Sequence, residues 1–188
     1  MKSKDGKQSI TLYVVKARKS RSTFATVVPR KGVSDTDEFV NFMIDCIAEL
    51  GYKSSLVYLN NDQEPAIKAV IDGVIAACGS VQTLLEESPV GASQSNGDAE
   101  GAVRTAEVGV RRLRKAIENR YNVTILVEHD IVPWLVRHAG FVHNRFQVGH
   151  DGKTPHTRVR GKDFDEAICE FGEIVYYKIT INDSLALT

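Results

Sequence analysis

The sequence predicts an α/β protein in which a mixed sheet is flanked by helices. Segments of alternating apolar residues are followed by segments in which apolar residues recur every three or four positions. With 43% hydrophobic and 26% charged residues, the 188-residue chain can bury a core. No apolar run reaches the roughly 18 residues that span a bilayer. We therefore expect a soluble, intracellular protein without a membrane partner.

The first two elements are predicted to be strands. Residues 8–18 and 21–29 are alternating, β-branched runs, and Lys19 and Ser20 form a short turn between them. This pattern predicts an antiparallel hairpin. A helix over 34–50 follows, because a capping residue precedes apolar positions at helical spacing and a glycine comes after them.

The middle of the chain predicts a strand, a helix and another strand. Residues 55–59 and 81–85 are short apolar runs, and residues 65–77 between them have helical spacing with proline in the first turn. This order indicates a parallel crossover next to the hairpin. Residues 87–97 are rich in Gly, Ser, Pro and Asn, which predicts a mobile loop.

The last third is predicted to be mainly helical, with helices over 98–121 and 128–145. The apolar stripe of the first is Val103, Ala106, Val110, Leu113 and Ile117. The aromatic stripe of the second, expected in the core, is Trp134, Phe141 and Phe146. Residues 149–161 are predicted to be a loop, and residues 167–181 one or two strands.

Charge is segregated along the chain although the net charge is zero. Residues 1–32 contain nine Lys or Arg and one acid, residues 33–100 contain twelve acids and two lysines, and residues 101–120 are basic again. A carboxylate cluster between basic flanks suits a cation held beside a polyanion. Simple clustering of charge on the surface would give the same pattern.

Two carboxylates are placed where they could carry chemistry. Asp62 comes just after the strand over 55–59, at the edge of an α/β sheet where ligands bind. Glu100 is predicted in the first turn of the helix over 98–121. Each also has a structural interpretation, as a helix cap for Asp62 and as a partner of the helix dipole for Glu100. Carboxylates converging from different elements are what two-metal phosphoryl transfer requires.

The motifs around these acids are distinctive. Leu59-Asn-Asn-Asp62, followed later by Gln94-Ser-Asn-Gly97 and then Glu100, resembles the second and third acidic motifs of the retroviral and retrotransposon integrase core, a ribonuclease H-like fold. Thr154-Pro155 and the segment 170–178 are similar to the region just after the core in copia-type elements. The resemblance covers residues 8–180.

The resemblance implies an integrase core of a copia-like element that processes 3′ ends and transfers strands with Mg²⁺ or Mn²⁺. It implies DNA and further copies of the chain as partners, and a nuclear location. Asp62 and Glu100 would be two of three metal ligands, with Asp98 as the competing assignment for Glu100. On this interpretation the DNA-binding residues are Gln94, Asn96, Arg104, Arg111, Arg114 and Lys115.

One acid of the family motif is missing. It would lie on a strand before residue 8, and we expect that strand to be absent or truncated. The expected domains are an N-terminally truncated core over 1–147 and a linker with a C-terminal β extension over 148–188. Two alternatives stay open: a catalytically decayed nucleic-acid-binding or dimerisation module of a retroelement relic, and another ribonuclease H-like nuclease. Whether the chain is an enzyme is therefore undecided from sequence.

Overall fold

The computed structural model describes residues 10–28, 36–61, 65–78, 83–87 and 93–176. Within these ranges strands and helices alternate, which confirms the predicted α/β class. The elements are β1 Thr11–Lys16, β2 Thr23–Val28, α1 Thr36–Glu49, β3 Val57–Asn61, α2 Pro65–Cys78, β4 Thr83–Glu87, α3 Ser93–Tyr121, α4 Ile131–Phe146 and α5 Pro155–Arg160.

The predicted hairpin is formed by β1 and β2, which pair antiparallel from Thr11 opposite Val28 to Lys16 opposite Thr23. Successive side chains of a strand point to opposite faces. Tyr13 of β1 therefore packs on the α1 side, whereas its neighbour Val14 packs on the side of α3 and α4. The hairpin is thus the middle layer between two helical layers.

Helices α1 and α2 cover one face of the hairpin. Their buried side chains form one cluster: Phe39, Val40, Met43, Ile47, Val70 and Val74. The helices cross closely at Gly73, where an added Cβ would lie 2.5 Å from Val40 Cγ2. As predicted, α1 ends before a glycine, Gly51, which has a φ of 78°. The N–H of Gly51 bonds to Ala48 O and that of Tyr52 to Ile47 O, so the last carbonyls of the helix are satisfied.

Helices α3 and α4 cover the other face. The buried cluster there is Ala25, Ala106, Val110, Val136 and Ala139. Helix α4 lies close to β2, since a Cβ on Gly140 would lie 3.1 Å from Thr23 O. The buried Asn144 Oδ1 accepts a 2.8 Å hydrogen bond from the Thr23 N–H. Packing and hydrogen bonding together fix α4 against the sheet.

The strands β3 and β4 are parallel and connected through α2, with Val57 opposite Thr83 and Asn61 opposite Glu87. Both begin two residues later than the sequence predicted. In the part of the chain that the structure describes, these strands share no ladder with the hairpin. Val57 nevertheless packs against the core of α1 and α2, so the parallel pair belongs to the same layered arrangement.

Helix α3 begins at Ser93, not at Asp98 as predicted. Residues 93–97 of the predicted loop are therefore helical, because a long helix that is already nucleated extends through residues of low propensity. Residues 88–92 of that loop lie outside the described residues. The predicted stripe is correct at Ala106, Val110 and Ile117, which are buried. It is wrong at Val103, which is 38% exposed, since Ala102 occupies the buried side instead.

The predicted aromatic core stripe of α4 is wrong. Trp134 is 67% exposed and Phe146 44% exposed. The buried positions of α4 are mainly smaller aliphatic residues at helical spacing, Val132, Leu135, Val136 and Ala139. These fit the close approach of α4 to β2 and α3, which large rings would prevent.

The segment 149–161, predicted to be a loop, contains the short helix α5. Thr154 Oγ1 accepts a 3.1 Å hydrogen bond from the Thr157 N–H, and Gly161 ends the helix with a φ of 73°. This is a regular helix start and stop: a capping Thr, a proline in the first turn and a terminal glycine. These signals were present in the sequence.

No strand forms over 167–176, where the sequence predicted part of a C-terminal β extension, and residues 177–181 lie outside the described residues. Side chains hold this segment instead. The ring of Phe171 lies 4.7 Å from that of His138, and Tyr121 Oη donates a 2.6 Å hydrogen bond to Gly172 O. None of the helices in the described ranges is both long and apolar enough to cross a bilayer.

Candidate functional site

The N-terminal half of α3 carries Glu100, the predicted metal ligand, and Asp98, the competing assignment. Both Asp98 and Glu100 are exposed, and both lie inside α3 rather than at its beginning. Arg18 Nε lies 4.0 Å from Asp98 Oδ2, so Asp98 faces the end of the hairpin. Residues two apart on a helix point about 200° away from each other. Glu100 therefore faces a different direction from Asp98.

The predicted second acid, Asp62, follows β3 directly but lies outside the described residues. Among its sequence neighbours, the structure describes the strand that ends at Asn61. Asn61 and Glu87 are the last pair of the parallel strands, so Asp62 comes next at the carboxyl end of β3. Among the described His, Cys, Asp and Glu side chains, no group of three could hold a metal ion. A complete metal site therefore requires Asp62 or other residues beyond the described ranges.

Charged residues of α3 form a continuous row on one face, with spacings of four and three. We call this row the charged stripe. Its members are Glu100, Arg104, Glu107, Arg111, Arg114 and Glu118. Acidic and basic residues are interleaved along it, so each cation has an acid three or four residues away. Whether a given cation is available to a ligand depends on whether that pairing forms.

The C-terminal part of the stripe is paired. Arg111 Nη2 lies 3.6 Å from Glu107 Oε2, and Arg114 Nε donates a 2.9 Å hydrogen bond to Glu118 Oε1. Glu118 Oε1 also accepts a 3.0 Å hydrogen bond from the Ile125 N–H. The Ile125 N–H is the largest influence lowering the pKa of Glu118, and Arg114 adds to it. Glu118 thus anchors the loop after α3 to the helix.

The N-terminal part of the stripe differs, since no ion pair forms there among the residues that the structure describes. Glu100 and Arg104 are both exposed and make no ion pair with any described residue. Lys115, one turn beyond Arg111, is exposed as well. Gln94 and Asn96 lie in the first turns of α3, but their side chains are outside what the structure describes. Of the predicted DNA-binding cations, Arg104 and Lys115 are therefore the most available.

The sequence interpretation missed the turn between β1 and β2 as a candidate site. It was predicted only as a connection, yet Arg18 brings it to the part of α3 that carries Glu100. The signal that could have found it is the density of charge, since four of the six residues over 16–21 are Lys or Arg. Nothing in the sequence indicates that this turn lies beside α3.

Structural comparison defines the class of fold. One chain of the cryo-EM structure of the simian T-cell lymphotropic virus intasome in complex with PP2A regulatory subunit B56 gamma superposes with a TM-score of 0.58 and 20% identity. The match covers 90% of this chain and 54% of that one. The crystal structure of the catalytic core domain of BIV integrase superposes with a TM-score of 0.50 and 19% identity, covering 80% and 85%.

The chain therefore has the fold of a retroviral integrase catalytic core, as the sequence resemblance implied. It spans about half the length of the intasome chain that it matches. No protein-family model matches the sequence, and no curated protein does. At these identities the likeness concerns the fold, and the chemistry has to be argued from the residues.

Proposed function

We propose that this chain is an integrase-type polynucleotidyl transferase core that binds DNA ends and supports their metal-dependent joining. One observation carries the proposal. On the long helix of an integrase-core fold, the exposed carboxylate of Glu100 has no ion-pair partner in the described part of the chain, and exposed Arg104 follows one turn later. An available acid beside an available cation suits a metal ion and a phosphate bound next to each other.

In this proposal Asp62 and Glu100 supply carboxylate oxygens to Mg²⁺ or Mn²⁺, which prefer oxygen ligands. When bound, such an ion helps to activate a water or a 3′-hydroxyl and stabilises charge at the phosphorus. Glu100 fits the role because its carboxylate is exposed and makes no ion pair with the residues that the structure describes. Asp98 fits less well, since it lies beside Arg18.

The cations of α3 position the DNA. Arg104 and Lys115 bind phosphates directly, without reading base sequence. Arg111 and Arg114 do so only where a phosphate displaces Glu107 or Glu118 from the pairs described above. We further propose that Gln94 and Asn96, at the start of α3, contact the DNA end.

Self-association is also part of the proposal, and the exposed face of α4 supports it. Trp134 is 67% exposed and borders a cavity of about 390 Å³ that Phe42, Phe141 and Phe171 help to line. Large aromatic residues exposed beside a cavity are typical anchors of protein interfaces. Replacing Trp134 with Ala should lower the self-association constant measured by sedimentation. An unchanged constant would place the interface elsewhere.

The test is a titration of Mn²⁺ into the protein with a labelled DNA end present, recording bound metal and joined product together. Asp62→Asn and Glu100→Gln should each lose both signals. Asp98→Asn is the matched control, because it removes an acid from the same helix, and it should keep both.

Three other results would contradict the proposal. If only Asp98→Asn loses both signals, Asp98 is the ligand in place of Glu100. If the wild type binds DNA but does not respond to metal, a non-catalytic nucleic-acid-binding module is the better description. If the wild type cleaves RNA in RNA–DNA hybrids and joins no DNA ends, the chain is a different ribonuclease H-like nuclease.

A further inference from the structure

The turn between β1 and β2, residues 17–22, presents three exposed cations within four positions. They are Arg18, Lys19 and Arg21, and Lys16 lies half-buried at the end of β1 just before them. We call residues 16–22 the basic turn. Exposed cations on a flexible connection are common and carry no function. The contacts that hold the basic turn distinguish it from such a flexible connection.

Buried hydroxyl groups organise the basic turn from within. Ser20 and Ser22 are each only 3% exposed, and their Oγ atoms lie 2.8 Å apart in a hydrogen bond. The Ser22 N–H donates a 3.3 Å hydrogen bond to Ser20 Oγ, and the Ala17 N–H donates one of 2.9 Å to Ser22 O. Two buried serines that satisfy each other close the turn and leave the charged side chains outside.

Neighbouring side chains brace the backbone of the basic turn. Lys16 Nζ donates hydrogen bonds of 2.8 Å to Arg21 O and 3.0 Å to Thr23 Oγ1. From α5, Arg158 Nη1 donates a 3.3 Å hydrogen bond to Ser20 O. Arg158 is itself held by Asp151, whose Oδ2 accepts from Nε at 3.0 Å while Oδ1 accepts from Nη2. Two carbonyls of the basic turn are therefore held by cations, one by Lys16 at its start and one by Arg158 of α5.

Arg21 adopts a left-handed backbone conformation, with a φ of 61°. Glycine or asparagine normally occupies such a position, because the Cβ of other residues is crowded there. An arginine in this conformation is a strained choice for a turn. If the turn were only a connection, glycine would serve it better, so the strain indicates that the guanidinium has a use.

The basic turn also lies beside the part of α3 that carries Glu100, on the side of the helix that Asp98 faces. Arg18 approaches Asp98, two residues before Glu100 on α3. Burial lowers the pKa of Lys16, the carboxylate of Asp98 opposes this, and the nearby charges of Arg21 and Arg158 lower the pKa further. A set of braced cations next to this part of α3 suits a polyanion that extends past both the basic turn and the helix.

We propose that the basic turn binds the phosphate backbone of DNA through Arg18, Lys19 and Arg21, positioning a strand that continues past Glu100. The identity of the polyanion as DNA rests on the proposed function. The contacts are with phosphates, so the turn contributes affinity and register and does not discriminate between base sequences. These are positioning residues and take no part in the chemical step.

The test measures binding to duplex DNA without metal, in EDTA, over 50 to 200 mM salt, a range in which about six to ten phosphate contacts change affinity strongly. The variant Lys19→Gln/Arg21→Gln should lower the slope of log K against log salt by about two. At about 0.1 M salt this corresponds to a loss of affinity on the order of 50-fold. The matched control Lys53→Gln/Lys68→Gln makes the same change of charge at exposed residues before β3 and on α2, and should stay within about twofold.

A second pair of variants separates binding from folding. Arg21→Gly suits the left-handed conformation, so the Tm should be equal or higher while DNA affinity falls. Arg21→Lys keeps the charge and should recover most of the affinity. If Arg21→Gly raises the Tm and leaves affinity and salt slope unchanged, the arginine is not a phosphate ligand and the proposal is overturned.

The outcomes also distinguish this proposal from the proposed function. Wild-type affinity and slope in Lys19→Gln/Arg21→Gln would overturn the role of the turn and leave the metal-dependent site untouched. A wild type that joins no DNA ends, but whose DNA binding depends on the turn, would overturn the catalytic function and support the turn. A wild type that prefers RNA, or binds no nucleic acid in EDTA, would overturn the assignment of DNA to this surface.

Discussion

The two ends of the charged stripe on α3 have the same kinds of residue and differ in what surrounds them. At the C-terminal end, Glu118 accepts hydrogen bonds from Arg114 and from the Ile125 N–H. At the N-terminal end, Glu100 and Arg104 have no ion-pair partner among the described residues. Side-chain exposure follows the same division, at 14% for Glu118, whereas Glu100 is exposed.

The two ends show that charge alone does not identify a binding site. The paired end has its carboxylate committed to holding the loop that follows α3, so we interpret it as structural. At the N-terminal end no such pairing forms within the described part of the chain, so an acid and a cation are available to ligands. The comparison predicts that substitutions at one end change stability, whereas those at the other change function.

The largest expected effect is at Glu100. Glu100→Gln should lower metal-dependent DNA joining by about 100-fold or more, because a neutral amide is a poor metal ligand. The urea midpoint should not change, since Glu100 makes no ion pair in the described part of the chain. Joined product per unit time and equilibrium unfolding measure the two effects. A lowered urea midpoint would show that this end of the stripe is structural too.

The next effect is at Arg104. Arg104→Gln should reduce the slope of log K against log salt by about one and weaken DNA binding about eightfold at about 0.1 M salt. The exposed Arg112, on another face of α3, provides the control through Arg112→Gln. Fluorescence anisotropy with a labelled duplex measures both. Equal losses in the two variants would mean that the face of the helix does not matter.

At the paired end, Glu118→Gln should destabilise the fold by about 1 kcal/mol, because it weakens two charge-assisted hydrogen bonds. DNA affinity should not decrease, since Arg114 then loses its acidic partner. Urea unfolding at neutral pH gives the free energy. A drop in DNA affinity without loss of stability would reverse the roles assigned to the two ends.

The contribution of Glu118 should depend on pH. Its folded-state pKa is lowered, so its stabilisation is fully present above the ordinary value of 4.5. It is lost as the pH falls through the lowered folded-state pKa. The difference in unfolding free energy between wild type and Glu118→Gln should therefore shrink with acidification from neutral pH. A difference that stays constant to acid pH would contradict the charged hydrogen bonds.

The smallest effect is at Arg111, between the two ends. Its pair with Glu107 is long at 3.6 Å, and 57% of the Arg111 side chain is exposed. Arg111→Gln should change stability by only a few tenths of a kcal/mol, as surface pairs one turn apart usually do. DNA affinity should fall by less than in Arg104→Gln, because a phosphate must compete with Glu107. A larger fall would show that this pair opens freely.

Local signals predicted much of this fold. Alternating apolar residues predicted the β1–β2 hairpin, and the structure confirms it. The apolar spacing and the glycine that follows predicted helix α1 and its end, which the structure also confirms. Even α5 was predictable from Thr154, Pro155 and Gly161. The pairs of Arg111 and Arg114 were also readable, since their acids lie four residues away.

Contacts between distant segments could not be predicted. The hydrogen bond from the Thr23 N–H to Asn144 Oδ1 joins residues that are 121 positions apart, and no sequence pattern near either residue predicts it. The approach of Arg18 to Asp98 is of the same kind. It depends on how α3 lies across the hairpin, where the buried side of the helix carries the small residues Ala102 and Ala106. The sequence therefore shows the basic turn as a cluster of charge, but it does not predict that the turn lies beside α3.

If Asp62 and Glu100 share a divalent ion, a crystal structure with Mn²⁺ should show it. We predict an anomalous peak within about 2.0 to 2.6 Å of carboxylate oxygens of both residues. A peak bound by Asp98 instead of Glu100 would contradict this prediction. Carboxylates of Asp62 and Glu100 more than about 10 Å apart would also contradict it, because metal ions about 4 Å from each other could not bridge that separation.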